Sequence, residues 1–323
     1  MKLCKNKTLK HGKDQCIHNI KANDGTCLCS LGAEFLCLEN KNIEVHRLSM
    51  SAIASWNCKM KYYYKYIRKL SIRDEYKSPA LKAGIIWDNY CEDVVKGTVD
   101  YNKLTIACEK YNIPKAIHGK LSALVRACIE LGVDSAMTIN NKEVVTQSKC
   151  SGEIDGYEIV GVLDRKYDEY FVETKLSSRP SYYSEKQNIY NQVGIYFMLN
   201  PELEKVIMEV TKMPAQKITQ DESVEEFEDR VCADIIKRPS FYFIGIDRAS
   251  GSFGTTFYRQ EFNYDWLRQM IHKVGLDIRH TIDNDLWYPN HAMCMNPFMC
   301  DFFDIHKTGG ISDLIFKERD IKK

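Results

Sequence analysis

The 323-residue chain has no run of about 18 apolar residues, so no helical membrane span is expected. It has almost no net charge either. Forty-five Lys and Arg stand against 44 Asp and Glu, so any binding of a polyanion must come from local patches. No internal repeat or low-complexity tract interrupts it. The opening residues, Met1-Lys-Leu-Cys4-Lys-Asn-Lys7, have no apolar stretch behind them, so a secretory signal is not expected. What remains is a globular composition, 44% hydrophobic and 28% charged, long enough for one large domain or two smaller ones.

Thirteen cysteines are the compositional anomaly. The count is odd and the chain is too large to need disulfide staples, which favours a reducing compartment with metal or cluster ligation. Cys91, Cys108, Cys128 and Cys232 fall within helical apolar patterns and read as core residues. Residues 1 to about 45 are polar, lack periodicity and hold Cys4, Cys16, Cys27, Cys29 and Cys37. Such a segment cannot build an apolar core, but a metal could fold it. One zinc site from Cys4, Cys16, Cys37 and either Cys27 or Cys29 is the expectation, although no Cys-x2-Cys knuckle is present.

From Ser49 the pattern is helical to about Leu70, with Ser49 and Ser51 as caps. Helices are then predicted over 81–95, 103–110 and 114–132, and strands near 143–150, 157–164 and 169–175. A helix over 181–199, a strand over 205–210 and a helix over 223–237 follow. A hairpin of 240–247 with 255–264 and a long helix over 264–284 complete a mixed α+β chain with a central sheet.

The stretch richest in chemistry is Gly161-Val-Leu-Asp164 followed by Glu173-Thr174-Lys175. A turn centred on Asp168-Glu169 sets Asp164 opposite Glu173. Opposed like charges destabilise a hairpin, and a divalent cation between the carboxylates removes the conflict. Glu173 and Lys175 project to one side of their strand. Two carboxylates and an ammonium around one point suit metal-assisted hydrolysis of a phosphodiester. Acid-x-Lys also occurs at Glu39–Lys41, Glu75–Lys77, Asp164–Lys166 and Asp320–Lys322, so context distinguishes Glu173. On the next helix Gln192 and Tyr196, four apart, share a face. The run from Lys59 to Lys69 is basic with interleaved tyrosines, and reads either as a nucleic-acid surface or as buried rings under solvated lysines.

Asp164, Glu173-x-Lys175 and Gln192-x-x-x-Tyr196, in this order, resemble the RecB-like branch of the PD-(D/E)XK nuclease superfamily. The resemblance extends to Ser49–Tyr64 with Cys58 upstream, and to Trp287–Cys294 and Cys300 downstream, covering roughly residues 48–306. It implies a restriction-endonuclease-like α+β (α/β) core over 46–323, a central mixed sheet flanked by helices, with residues 1–45 as a Cys-rich extension. It implies a Mg²⁺- or Mn²⁺-dependent DNA nuclease, an exonuclease, in repair, recombination or viral DNA processing. Asp164, Glu173 and Lys175 would be catalytic, with metal ligands from Asp164, Glu173 and the Thr174 carbonyl. Gln192 and Tyr196 would position the substrate.

Some relatives, CRISPR-adaptation nucleases and AddB-type subunits among them, hold a [4Fe–4S] cluster on one early and three late cysteines. Cys58, Cys294 and Cys300 fit three places, and His306 stands at the fourth. An iron–sulfur cluster, a zinc or a lost site are the alternatives. Many relatives carry Gly-x-x-His on the helix of 81–95, where this chain has Gly84-Ile-Ile-Trp87. Asp88 reads there as a solvated acid and Glu92 as a candidate contributor to the metal. No helicase motif is present, so a helicase or recombination protein is an expected partner besides DNA, in the cytoplasm (of the host, if viral). The alternatives are a catalytically impaired DNA-binding relative and a zinc-dependent interaction scaffold.

Overall fold

The computed structural model describes residues 19–21, 27–29, 47–138, 144–294, 300–308, 310, 312 and 315–318. The chain divides into two units, Met1–Arg73 with Lys273–Lys323, and Asp74–His272. In the first unit β1 (Asn19–Lys21) and β2 (Cys27–Cys29) form a short antiparallel ladder with Ile20 opposite Leu28. Strand β3 (Arg47–Ser49) leads into α1 (Met50–Ser55), capped by the Ser49 hydroxyl, which accepts from the Ala52 N–H at 3.2 Å. This is the cap expected from the sequence. The single long helix predicted there is instead α1, then α2 (Lys59–Tyr62), then a π-helical turn over Tyr63–Ile67 and β4 (Leu70–Ile72). Tyr62 at the end of α2 and Tyr63 and Tyr64 at the start of the π turn are all buried.

The second unit opens with α3 (Pro79–Val95), where Pro79 takes the first helical turn and Ser78 caps it. Helices α4 (Tyr101–Lys110), α5 (Lys115–Glu130) and α6 (Val133–Thr138) follow. Then come β5 (Val145–Ile154), β6 (Tyr157–Lys166) and β7 (Tyr170–Ser177). The crossover is α7 (Ser181–Ser184) and α8 (Lys186–Leu199), broken at Glu185, whose backbone is extended. It returns the chain to β8 (Lys205–Lys212), parallel to β7 with Glu173 beside Met208 and Lys175 beside Val210. β5 pairs β6 and β6 pairs β7, both antiparallel, and β9 (Thr255–Tyr258) closes the row antiparallel to β8. The fold class is therefore mixed α+β, with a central mixed sheet flanked by helices.

One predicted hairpin does not form. Residues Pro239–Tyr242 are a helical turn, α10, after α9 (Val224–Lys237), and among the described residues an isolated bridge joins Phe243 to Thr211. Pro239 favours a helix start, and burial of Tyr242 and Phe243 in the helical core decides the path. That core gathers Trp87, Val94, Leu124, Cys128, Phe227 and Ile235 from α3, α5 and α9. Cys91, Cys108, Cys128 and Cys232 are buried free thiols, as their helical positions predict.

The chain leaves the second unit within α11 (Tyr264–Asn284). In the first unit α12 (Phe303–Thr308) and β10 (Phe316–Glu318) complete the fold, β10 pairing with β4 so that Phe316 is opposite Ile72. Tyr63, Tyr64, Leu70, Phe302, Ile305 and Phe316 pack around Cys300. Lys59 pairs with Asp277 at 3.0 Å and hydrogen-bonds Thr281, so this end of the basic-aromatic run serves packing within the unit. Among the described residues no helix is long and apolar enough to cross a membrane.

Candidate active site

Hairpin β6–β7 turns through Tyr167-Asp168-Glu169-Tyr170, with the Tyr167 N–H donating to the Tyr170 carbonyl and the two rings stacked at 4.4 Å. The ladder runs Lys166 opposite Phe171 and Arg165 opposite Val172, then stops. At the next position the Asp164 carboxylate enters the gap and accepts the Thr174 N–H at 2.9 Å. A side chain thus takes the place of a ladder carbonyl. Lys175 reaches both carboxylates. Its Nζ lies 3.0 Å from Glu173 and 3.7 Å from Asp164.

Side chains alternate across β7. Thr174 projects to the face opposite Glu173, where its hydroxyl accepts from Arg165 at 2.9 Å. Arg165 also pairs with Glu209 of β8, and both are buried. Burial opposes the Arg165 charge, but Glu209 outweighs it and holds the guanidinium protonated. This pair anchors the strands behind the site.

On the near face Gln192 donates to Glu173 at 3.0 Å and lies 3.4 Å from the Tyr196 hydroxyl. Tyr196 is buried, and burial together with the nearby Glu173 charge keeps its phenol protonated. Its ring packs over β6 at Gly161, where a Cβ would lie 2.4 Å from Cε1. The glycine three residues before Asp164 is thus the space that admits the ring.

Glu173 is 1% exposed, and burial pushes its carboxyl up to about 7, with Lys175 opposing and Asp164 adding to the rise. Burial works against the Lys175 charge too, but Glu173 and Asp164 outweigh it and keep the ammonium protonated. One Glu173 oxygen takes both Lys175 and Gln192, while Oε1 is buried with no hydrogen-bond partner among the described residues. A buried, unpartnered carboxylate oxygen is costly unless something cationic meets it. The oxygen donors of Asp164 and Glu173 suit a hard divalent cation. Among the described residues, no three His, Cys, Asp or Glu side chains are gathered as a ready-made metal cage.

On α3 the structure separates Asp88 from Glu92. Asp88 is pushed up to about 6, by burial first and then by Asp164, with Lys175 opposing. Glu92 pairs with Lys96 and accepts from Thr146 at 3.0 Å. Asp88, which the sequence pattern leaves in solvent, thus stands within electrostatic reach of Asp164 and Lys175. Its signal is its position four residues, one helical turn, beyond Gly84. Trp87 beside it is buried in the core.

In the first unit, buried Cys58, Cys294 and Cys300 come into one neighbourhood. Cys58 Sγ accepts from the Asn290 N–H at 3.3 Å, Cys294 lies 3.6 Å from the Asn290 carbonyl, and the Cys300 N–H donates to the Cys294 carbonyl at 2.7 Å. Burial raises the Cys294 and Cys300 thiols, and Cys58 adds to both. The side chain of His306 lies outside the described residues, as do Cys4, Cys16 and Cys37 and the side chains of Cys27 and Cys29.

No known family pattern matches the chain, and no curated protein matches it. Among solved structures it is similar to a protein from Eubacterium rectale that carries the provisional name of exonuclease. The TM-score is 0.46 at 11% identity, over 82% of this chain and 94% of that one. It is also similar to the protein SSO0001, with a TM-score of 0.26 at 15% identity, over 60% of this chain and 77% of the other.

Proposed function

We propose that the second unit is a divalent-metal-dependent deoxyribonuclease, an exonuclease, with Asp164, Glu173 and Lys175 as its catalytic residues. The observation that carries this reading is the unpartnered Glu173 Oε1 beside Asp164 and Lys175. Asp164, Glu173 and the Thr174 carbonyl would hold Mg²⁺ or Mn²⁺, which supplies a lowered water pKa and charge for the attacked phosphate. Lys175 orients the attacking water and neutralises charge as it develops. Gln192 fixes the Glu173 carboxylate, and Tyr196 holds Gln192 in place. Asp88 favours the charged form of Lys175 from the α3 side.

The test is divalent-dependent release of nucleotides from labelled DNA. Lys175→Ala is expected to abolish release while circular dichroism and thermal unfolding report an intact fold. Wild-type rates in a folded Lys175→Ala protein would remove the assignment. We also propose an iron–sulfur cluster or zinc on Cys58, Cys294, Cys300 and His306, zinc on the N-terminal cysteines, and a helicase or recombination protein as partner. Metal analysis of anaerobically purified protein, repeated on Cys58→Ser, checks the first of these; equal metal content in both would sink it.

A further inference from the structure

Beyond Lys175 the near face of β7 continues through Ser177 and, past the strand end, toward Arg179. Each two-residue step is about 7 Å along an extended chain. The parallel neighbour sets Lys212 beside Ser177. Here a cavity of ≈ 480 Å³ opens, lined by Ser178, Arg179, Ser181, Tyr182, Glu185 and Lys212 among others. The Lys212 ammonium sits over the Phe241 ring, 3.4 Å from the centroid. Among the described residues neither Arg179 nor Lys212 has a carboxylate partner, whereas Arg126, Arg230 and Arg238 on the helices of this unit are each paired with one. Tyr182, 40% exposed, adds an aromatic surface beside them.

We infer that this groove binds a single-stranded segment of the DNA substrate, Arg179 and Lys212 taking backbone phosphates and Tyr182 stacking on an unpaired base. Two cations without carboxylate partners in one concavity select an anion. The single carboxylate, Glu185, leaves the wall net positive. A nearby exposed ring is of use only to a base whose face is free, so a strand outside a duplex is the occupant that employs both features. The row Glu173, Lys175, Ser177 then leads the strand from the carboxylates into the groove. The inference takes its ligand from the nuclease reading and adds which form of DNA the site accepts.

Fluorescence anisotropy with labelled oligo(dT) and a blunt duplex, in EDTA so that nothing is cleaved, tests it on the full chain. Arg179→Ala/Lys212→Ala is expected to weaken oligo(dT) binding about tenfold or more. It should also reduce the slope of log K against log salt by about 1.4, roughly 0.7 for each lost phosphate contact. Tyr182→Ala should weaken oligo(dT) and leave the duplex unaffected. Unchanged oligo(dT) affinity in the folded double variant overturns the inference, and so does an equal loss on duplex in both variants. Wild-type binding lost in the double variant, in a protein that cleaves no DNA, would uphold the groove and remove the nuclease reading. Intact cleavage with an unaltered double variant would do the reverse.

Discussion

Gly161 of β6 and Tyr196 of α8 occupy one space: a Cβ on the glycine would stand 2.4 Å from ring Cε1 and 3.2 Å from Cys150 Sγ. Gly161→Ala must displace the ring or bend the strand. Overpacking of this kind costs about 1–3 kcal/mol. Urea denaturation of Gly161→Ala should show that loss, and DNA cleavage should fall with it because Tyr196 steadies Gln192. Wild-type stability would mean that the ring moves freely and the helix contact positions nothing.

Asp88 and Glu92 give opposite expectations. Asp88 faces the carboxylate pair through its charge, whereas Glu92 is tied to Lys96 and Thr146. Loss of an outer partner of a metal site commonly costs roughly 10–100-fold. Asp88→Asn should lower divalent-dependent cleavage by that order, and Glu92→Gln should leave it near the wild-type rate. The reverse ranking in the same assay would return the role to Glu92.

Glu173 and Asp88 both have folded pKa values above the ordinary carboxylate range, about 7 and about 6. The folded metal-free protein therefore binds more protons than the unfolded chain between about pH 4 and 7. These groups favour the fold fully below about pH 4, and their contribution is lost as pH rises through about 6 and 7. Urea denaturation in EDTA across that window should show the fall, and Glu173→Gln should flatten it. Mg²⁺ or Mn²⁺ requires the deprotonated carboxylates, so added metal should stabilise the protein more at about pH 8 than at about pH 5. Metal stabilisation independent of pH would contradict the ligand assignment.

Behind the site, Arg165 and Glu209 form a buried pair. Removing one partner of such a pair leaves an uncompensated charge and costs about 3–5 kcal/mol. Glu209→Gln should therefore destabilise the protein by that order, measured by thermal or chemical unfolding. Arg165→Met/Glu209→Leu should recover much of the loss. A double variant no better than the single would show that hydrogen bonding to Thr174 matters more than the charge.

Local pattern was enough for elements whose neighbours agree with their propensities. The helix over 264–284, the strands around Asp164 and Glu173, and the Ser49 cap follow from periodicity and capping alone. The 240–247 segment did not, because its apolar run records burial of the adjacent Tyr242 and Phe243 against helices rather than strand pairing. The long helix after Ser49 is interrupted at Trp56–Cys58 and turns π-helical over Tyr63–Ile67, where Tyr63 and Tyr64 are packed in the core of the first unit.

The sequence by itself determined that two carboxylates, a lysine and a glutamine–tyrosine pair would stand on adjacent elements, because strand alternation and helical spacing are local rules. Which atoms meet was decided by the tertiary structure alone. The opening of the β6–β7 ladder at Asp164, the unpartnered Glu173 oxygen, the approach of Asp88 and the groove holding Arg179 and Lys212 depend on how the strands diverge and which helices cover them. Desolvation and distance set those relations, and neither is encoded in the spacing of residues along the chain.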